Sequence, residues 1–284
     1  MWAETSSSSI NLDAILNEDS NYQSVSKKLG NAQAAGAATH IQTLSLQGAL
    51  IASITSNLNN SAILSWTKVI EGLPSHLFRF ARKALQQQLP TAANLARWKR
   101  STDAACSLCQ AIQTNKHVLS HCSLPVVLDR YKKRHDDVLS ILASWVKGAL
   151  KDGGRLYVDL SEGGYRPLGD IFESLRPDLA IVYEQSGTIA TLELTVCHET
   201  NLVKSKQYKD QKYELLGTDL KPALQNVQLR RHTFEVSVLG FVSDTSKLSK
   251  SFLATKIPNK ICEDICNAAV RNSYDIYCKR NRLD

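Results

Sequence analysis

Residues 176–195 read RPDLAIVYEQSGTIATLELT. Two apolar runs flank a Gly-containing turn, which is the pattern of a β-hairpin. Asp178 stands at the mouth of the first run and Glu193 lies inside the second. An ionised carboxylate among apolar strand residues is costly unless it is paired, hydrated or holding a metal. If 178–184 and 189–197 pair through the turn around Ser186-Gly187, the two acids come from adjacent strands near one end of a sheet. Carboxylates that converge in this way repel one another unless a cation lies between them. Hard oxygen ligands suit Mg²⁺. Such an ion polarises a scissile phosphate and lowers the pKa of an attacking water, while a nearby Lys orients that water and offsets developing charge.

Lysines are available. Lys206, Lys209 and Lys212 follow on a stretch with helical character, spaced by three and so close to one face. A Pro-Asp, an acid on the next strand and lysines beyond it match the PD-(D/E)xK nuclease pattern. One departure stands out: the position two after the acid, where that pattern has its Lys, is Thr195.

The surrounding texture fits a mixed α/β fold over residues 125–284. VVLDRYKKRHDDVLSILASWVKGALK (126–151) has the periodicity of an amphipathic helix stopping before Gly153-Gly154. Strands are expected at Arg155–Leu160, Asp178–Glu184 and Ile189–Cys197. A helix over 201–216 follows, with Leu202, Val203, Tyr213, Leu215 and Leu216 as its apolar positions. A buried strand at Phe234–Val242 and a helix over 258–280 close the chain. The order, an αβββαβ core with a closing helix, is that of a mixed α/β domain, and with the acid pair and lysines it resembles the restriction-endonuclease-like PD-(D/E)xK class. Upstream, residues 1–38 are rich in Ser, Asn, Gln and Ala and are expected to be disordered or weakly helical. Residues 39–100 read as a helical, basic linker. Leu44, Leu46, Leu50, Ile51, Ile54 and Leu58 suggest one helix there, and Ile63, Leu64, Trp66, Val69 and Ile70 another. LPSHLFRFARKALQQQLPTAANLARWKR adds two more, opened by Pro74 and Thr91.

The chain has 284 residues and a formal charge of +7. Between Glu71 and Arg134 there are eleven Lys/Arg against three Asp/Glu, more net positive charge than the whole chain carries. Concentrated basic charge is the footprint of a phosphate-backbone binder, although a solvated face has the same composition. Arg79, Arg82, Lys83, Arg97 and Arg100 are the candidate contacts. Those at helix ends also suit the macrodipole. No apolar run reaches the ~20 residues of a membrane span, and the opening MWAETSSSSINLD lacks the basic and apolar regions of a secretory signal.

Three of the seven cysteines fall in CSLCQAIQTNKHVLSHC (106–122), as Cys106-x2-Cys109-x7-His117-x4-Cys122. Four N/S ligands at this spacing are a structural zinc set, and residues 101–124 are read as a zinc knuckle whose folding depends on the metal. His121, beside Cys122, is an alternative ligand. Cys262 and Cys266 are one helical turn apart and read as core, while Cys197 and Cys278 stand alone.

Read together, LPTAANLARW, the cysteine–histidine set, RYKKRHDDVL, RPDLAIVYE, ELTVCHETN and KDQKYELL occur in an order that resembles the C-terminal part of site-specific non-long-terminal-repeat retrotransposon proteins. These proteins carry a linker, a zinc knuckle and a restriction-enzyme-like endonuclease. The resemblance spans about residues 70–217. It implies an endonuclease that nicks target DNA so that the freed 3′-OH primes reverse transcription of the element RNA, and so a nuclear place of action. It implies Mg²⁺ on Asp178 and Glu193, a displaced catalytic Lys at Lys209 with Lys212 in reserve, and a phosphate contact from Arg176. The family's Arg-His pair falls on Arg134 and His135 and implies DNA engagement near the site. No Tyr-x-Asp-Asp polymerase box occurs in the sequence. The reverse transcriptase portion is therefore expected to be absent, as in a fragment, a truncated copy or a derived host protein. The alternative is a zinc-containing nucleic-acid-binding protein that has lost cleavage.

Overall fold

The computed structural model describes residues 22–57, 60–150, 153–160, 164–242, 252–253 and 257–283. The chain divides into two compact units, Met1–Ala52 and Ser53–Asp284. In the first, helix α1 spans Tyr22–Thr43. Its Ala-rich centre has high helix propensity, in keeping with the helical alternative read there; residues 1–21 lie outside the described residues, as does Leu58. Helix α2, Gln47–Asn57, begins after a turn at Leu44.

The second unit begins within α2, at Ser53, and continues with helices α3 (Asn60–Glu71), α4 (Ser75–Leu85) and α5 (Ala92–Arg97). Pro74 precedes α4, and Thr91 caps α5 by accepting from the Asn94 amide. Trp66 of α3 donates its indole N–H to the Leu239 carbonyl at 2.6 Å and stacks on Phe241 at 4.3 Å. The helical segment is thus fastened to the α/β part through a buried aromatic contact. The knuckle follows, and then the long helix α6, Pro125–Ala149.

Four strands form one sheet in the order β1 (Gly154–Val158), β2 (Leu179–Tyr183), β3 (Thr188–Cys197) and β4 (Gln228–Ser237). The first two pairings are antiparallel and β3–β4 is parallel. A parallel neighbour requires a crossover, and helix α7, Leu202–Lys212, supplies it. Helix α8, Asn259–Cys278, closes the unit. The element order is the one expected from the sequence: helix, three strands, helix, strand, helix.

Both faces of the sheet are covered. Leu179, Ile181, Ala190, Leu192, Leu194, Phe234 and Val236 pack on Val138, Leu139, Leu142 and Val146 of α6 and on Ile265 and Ala269 of α8. On the other face Tyr157, Ala180, Val182 and Ile189 pack with Phe172, Tyr213, Leu216 and Leu220. Two details depart from the pattern read in the sequence. Strand β4 starts at Gln228, six residues before the apolar run, because its first half pairs along β3 with polar, exposed side chains. Its apolar end then reverses at Gly240, so Val242 returns to bridge Val236. Gly240 has φ +85, and a Cβ there would sit 2.7 Å from Cys266 Sγ of α8. In α7 only Leu202 is buried, and beyond its end Tyr213 and Leu216; Val203 and Leu215 are exposed.

Candidate functional site

The hairpin geometry places the two acids. Leu179 pairs with Leu192, so one step further out Asp178 and Glu193 oppose each other. Alternation along the strands puts both on the face of Ala180 and Val182. Both are buried, with side chains 13% and 6% exposed. Asp178 Oδ2 accepts from the Leu194 amide at 2.7 Å, and its Oδ1 lies 3.4 Å from His135 Nε2. Lys209 of α7 donates to Glu193 Oε2 at 2.7 Å and stands 3.9 Å from Asp178 Oδ2. Glu193 Oε1 is buried and without a hydrogen-bond partner among the described residues. Burial, then the facing Asp178 carboxylate, pushes the Glu193 carboxyl up to about 7. Burial works the same way on Asp178, but His135 and Lys209 prevail and hold it below the usual carboxylate range. For His135, burial opposes protonation, yet the Asp136 and Asp178 carboxylates raise it to about 9. Two clefts of about 370 Å³ each adjoin the pair, and Lys209 lines both. Arg231 faces one; Lys204 and Tyr208 face the other.

The second cluster is the knuckle. The donor atoms of Cys106, Cys109, His117 and Cys122 all lie within 4.8 Å of one another, and Cys109 Sγ is 3.3 Å from His117 Nε2. A tetrahedral zinc with Zn–S of about 2.3 Å has ligand–ligand edges of about 3.8 Å, so the set fits zinc without rearrangement of the backbone. Local structure prepares the donors. The turn after Cys106 closes through Gln110 N–H to the Cys106 carbonyl, with Gln110 in the left-handed region at φ 64. Burial raises the Cys106 thiol, but the amides of Cys109 and Leu108 and the Gln113 side chain outweigh it and lower its pKa, favouring the thiolate. Burial, with the nearby His121, keeps His117 below its usual value, so its imidazole is neutral and free to ligate. His121 is not part of the cluster: its Nε2 pairs with the Asn201 amide at 3.0 Å.

Residues 52–127 match the family model described as zinc-binding in reverse transcriptase. The chain therefore carries a zinc-binding domain of the reverse-transcriptase-associated kind. A search of curated proteins gave no match. The matched span joins helices α3, α4 and α5 to the knuckle, so the zinc-binding domain takes in much of the segment that the sequence suggested as a separate linker.

Five of the basic candidates, Arg79, Arg82, Lys83, Arg97 and Arg100, lie on the surface of this zinc-binding domain and are exposed. Arg134 is different and corrects the sequence reading. It is 1% exposed, and its Nη1 donates to the Leu119 carbonyl at 2.9 Å and to Ser273 Oγ at 3.0 Å. Burial lowers its pKa to about 10. This guanidinium fastens the zinc-binding domain to α8 and presents nothing to a DNA surface. Its neighbour His135 turns to Asp178. Arg176 is mostly exposed and forms an ion pair with Asp159. Lys212 is the second correction: its Nζ donates to Tyr213 Oη at 3.1 Å, and it makes no ion pair with either acid among the described residues. Three residues beyond Lys209 it is carried about 4.5 Å along the helix and about 60° around it. Lys206 is occupied by Asp210 at 2.8 Å.

Two structural ties were missed in the sequence. Tyr131 Oη accepts from the Cys122 amide and donates to the Val118 carbonyl at 2.8 Å. Glu199, fully buried, accepts from the Leu239 amide at 3.0 Å. Tyr131 and Arg134 fall on the three-to-four spacing of Val127, Val138 and Leu142, and that periodicity is the signal by which their place on the inward face of α6 could have been found.

Proposed function

We propose that this chain is a metal-dependent DNA endonuclease segment of a retrotransposon-type protein, with a PD-(D/E)xK core whose catalytic Lys has moved from the strand to the crossover helix. The observation that carries it is the convergence of Asp178, Glu193 and Lys209 at one end of the sheet. The partnerless Glu193 Oε1 opposite a second carboxylate fits a hard cation. Asp178 and Glu193 would hold Mg²⁺, which when bound polarises the scissile phosphate and activates water. Lys209 supplies the ammonium that orients the nucleophile and offsets charge on the phosphate. His135 and the Leu194 amide fix the Asp178 carboxylate. Arg231 and Lys204, in the two adjoining clefts, give the DNA strand cationic partners on either side of the reacting phosphate. The product is a nick with a 3′-OH able to prime copying of element RNA, an activity that belongs in the nucleus. The zinc-binding domain adds affinity for target DNA or that RNA through its exposed arginines.

The test is conversion of supercoiled plasmid to nicked circles with Mg²⁺. Asp178→Asn keeps an acceptor for the Leu194 amide, and Lys209→Met keeps the stem; each is expected to slow nicking at least about 100-fold. Equal nicking by the parent and Asp178→Asn ends the assignment. Thr195 at the usual Lys position favours a second reading, nucleic-acid binding without cleavage. That reading requires a zinc-loaded parent that binds DNA, is inert with Mg²⁺, and binds equally as Asp178→Asn.

A further inference from the structure

Helix α4, SHLFRFARKAL, contains no acid. His76, Arg79 and Lys83 recur at helical spacing and so share one face, and all three are exposed. Across from them α8 presents Tyr274 and Tyr277. Together with Phe80, Leu89 and Pro90 these side chains enclose a cleft of about 240 Å³ that no carboxylate lines. Four lysines elsewhere on the surface are neutralised along their own helices: Lys133 by Asp137, Lys206 by Asp210, Lys260 by Asp264 and Lys279 by Asp275. Among the described residues, no ion pair neutralises Arg79 or Lys83. The macrodipole accounts for cations in the last turn of a helix, which describes Arg82 and Lys83 but not Arg79 in the middle. The rings are arranged as a wall. Tyr274 lies 5.2 Å from His76 in a tilted pair and 5.4 Å edge-on from Phe80, and it is only half buried. Tyr277, by contrast, has Arg280 4.2 Å above its ring.

We propose that this cleft holds one unstacked nucleotide of a single-stranded nucleic acid, its base against Tyr274 and His76 and its flanking phosphates on Arg79 and Lys83. Half-exposed aromatic rings beside unpaired cations are what single-strand binding requires, because every base has a π-face and every linkage a charge. A duplex, with its bases already stacked, can use the cations but not the rings. The site stands apart from the acid pair and needs no cleavage, so it survives failure of the endonuclease reading.

The experiment is fluorescence anisotropy of the zinc-loaded full chain without Mg²⁺, using labelled 12-mer oligothymidylate, oligouridylate and a 12-base-pair duplex. Tyr274→Ala is expected to weaken single-strand binding about 5- to 150-fold while leaving duplex binding unchanged. Tyr274→Phe, which keeps the ring, retains parental affinity. The surface double substitution Arg79→Ala, Lys83→Ala lowers the salt slope on single strands by about 1.4. Matched affinities for DNA and RNA oligonucleotides are expected, since rings and phosphates serve both; binding by one alone assigns the cleft to that polymer. Single-strand affinity unchanged by Tyr274→Ala overturns the proposal, as does an equal loss on the duplex. An unchanged salt slope in the double variant, whose exposed positions leave the fold intact, also overturns it.

Discussion

Replacing Arg134 with Met keeps most of the stem volume and removes the charge and all donors. In the structure that guanidinium is buried and donates to Leu119 O at 2.9 Å and Ser273 Oγ at 3.0 Å, with the fully buried Glu199 among the charges that favour its protonated form. Each charge-assisted hydrogen bond contributes about 1.5–3 kcal/mol. Two such bonds come to about 4 kcal/mol, and a domain of this size loses about 2–4 °C per kcal/mol. Calorimetry of zinc-loaded Arg134→Met should therefore show a melting temperature lower by roughly 8–16 °C. At a temperature where the variant is folded, its DNA affinity should equal that of the parent. A melting temperature within about 2 °C of the parent refutes the structural role, and a loss of DNA affinity with unchanged stability returns Arg134 to the nucleic-acid surface.

The purified chain should contain about one equivalent of zinc, lost in Cys109→Ser; zinc retained by that variant would move the site elsewhere. Gly240→Ala meets both a left-handed φ and the 2.7 Å approach of Cys266 Sγ, so denaturant melts should show a loss of about 2–4 kcal/mol, and a neutral effect would mean the turn relaxes freely. Thr195 lies two residues after Glu193 on the same face of β3 and lines the cleft shared by Lys209 and His135. Nicking lost in Lys209→Met should accordingly be partly restored by adding Thr195→Lys, and failure of every amine at position 195 would show that only the helix can present it.

The features that could be read in the sequence were those fixed by local repetition. Two apolar runs, LAIVY and TIATLELT, around a Gly-containing turn defined a hairpin, and once its register was set the opposition of Asp178 and Glu193 followed from pairing geometry. The cysteine spacing fixed the four zinc donors because short loops leave them nowhere else to go. What escaped was set by tertiary partners. Arg134 reads as one more cation in KKRHDD although it keeps the spacing of Val127, Val138 and Leu142, and the partners that satisfy it, Leu119 and Ser273, lie far from it in the sequence. The lysines of α7 were indistinguishable by spacing, since the choice among them depends on how the crossover helix lies over β3: Lys206 meets Asp210, Lys212 meets Tyr213, and Lys209 alone faces the acids. The start of β4 was hidden because its polar half is specified by pairing with β3 rather than by its own hydropathy.

Helix α6 explains why zinc and acids belong to one compact unit. Within five consecutive residues it sends Tyr131 and Arg134 to the backbone between His117 and Cys122, and His135 to Asp178. Successive side chains on a helix diverge by about 100°, so one short segment reaches the knuckle on one side and the carboxylates on the other. The carbonyls that Tyr131 and Arg134 satisfy belong to the turn that carries two of the zinc donors. Their positions are therefore tied, through a rigid helix, to the ring that steadies Asp178. Through Tyr131 and Arg134 the zinc-binding domain is joined to the same helix that sets His135 against Asp178.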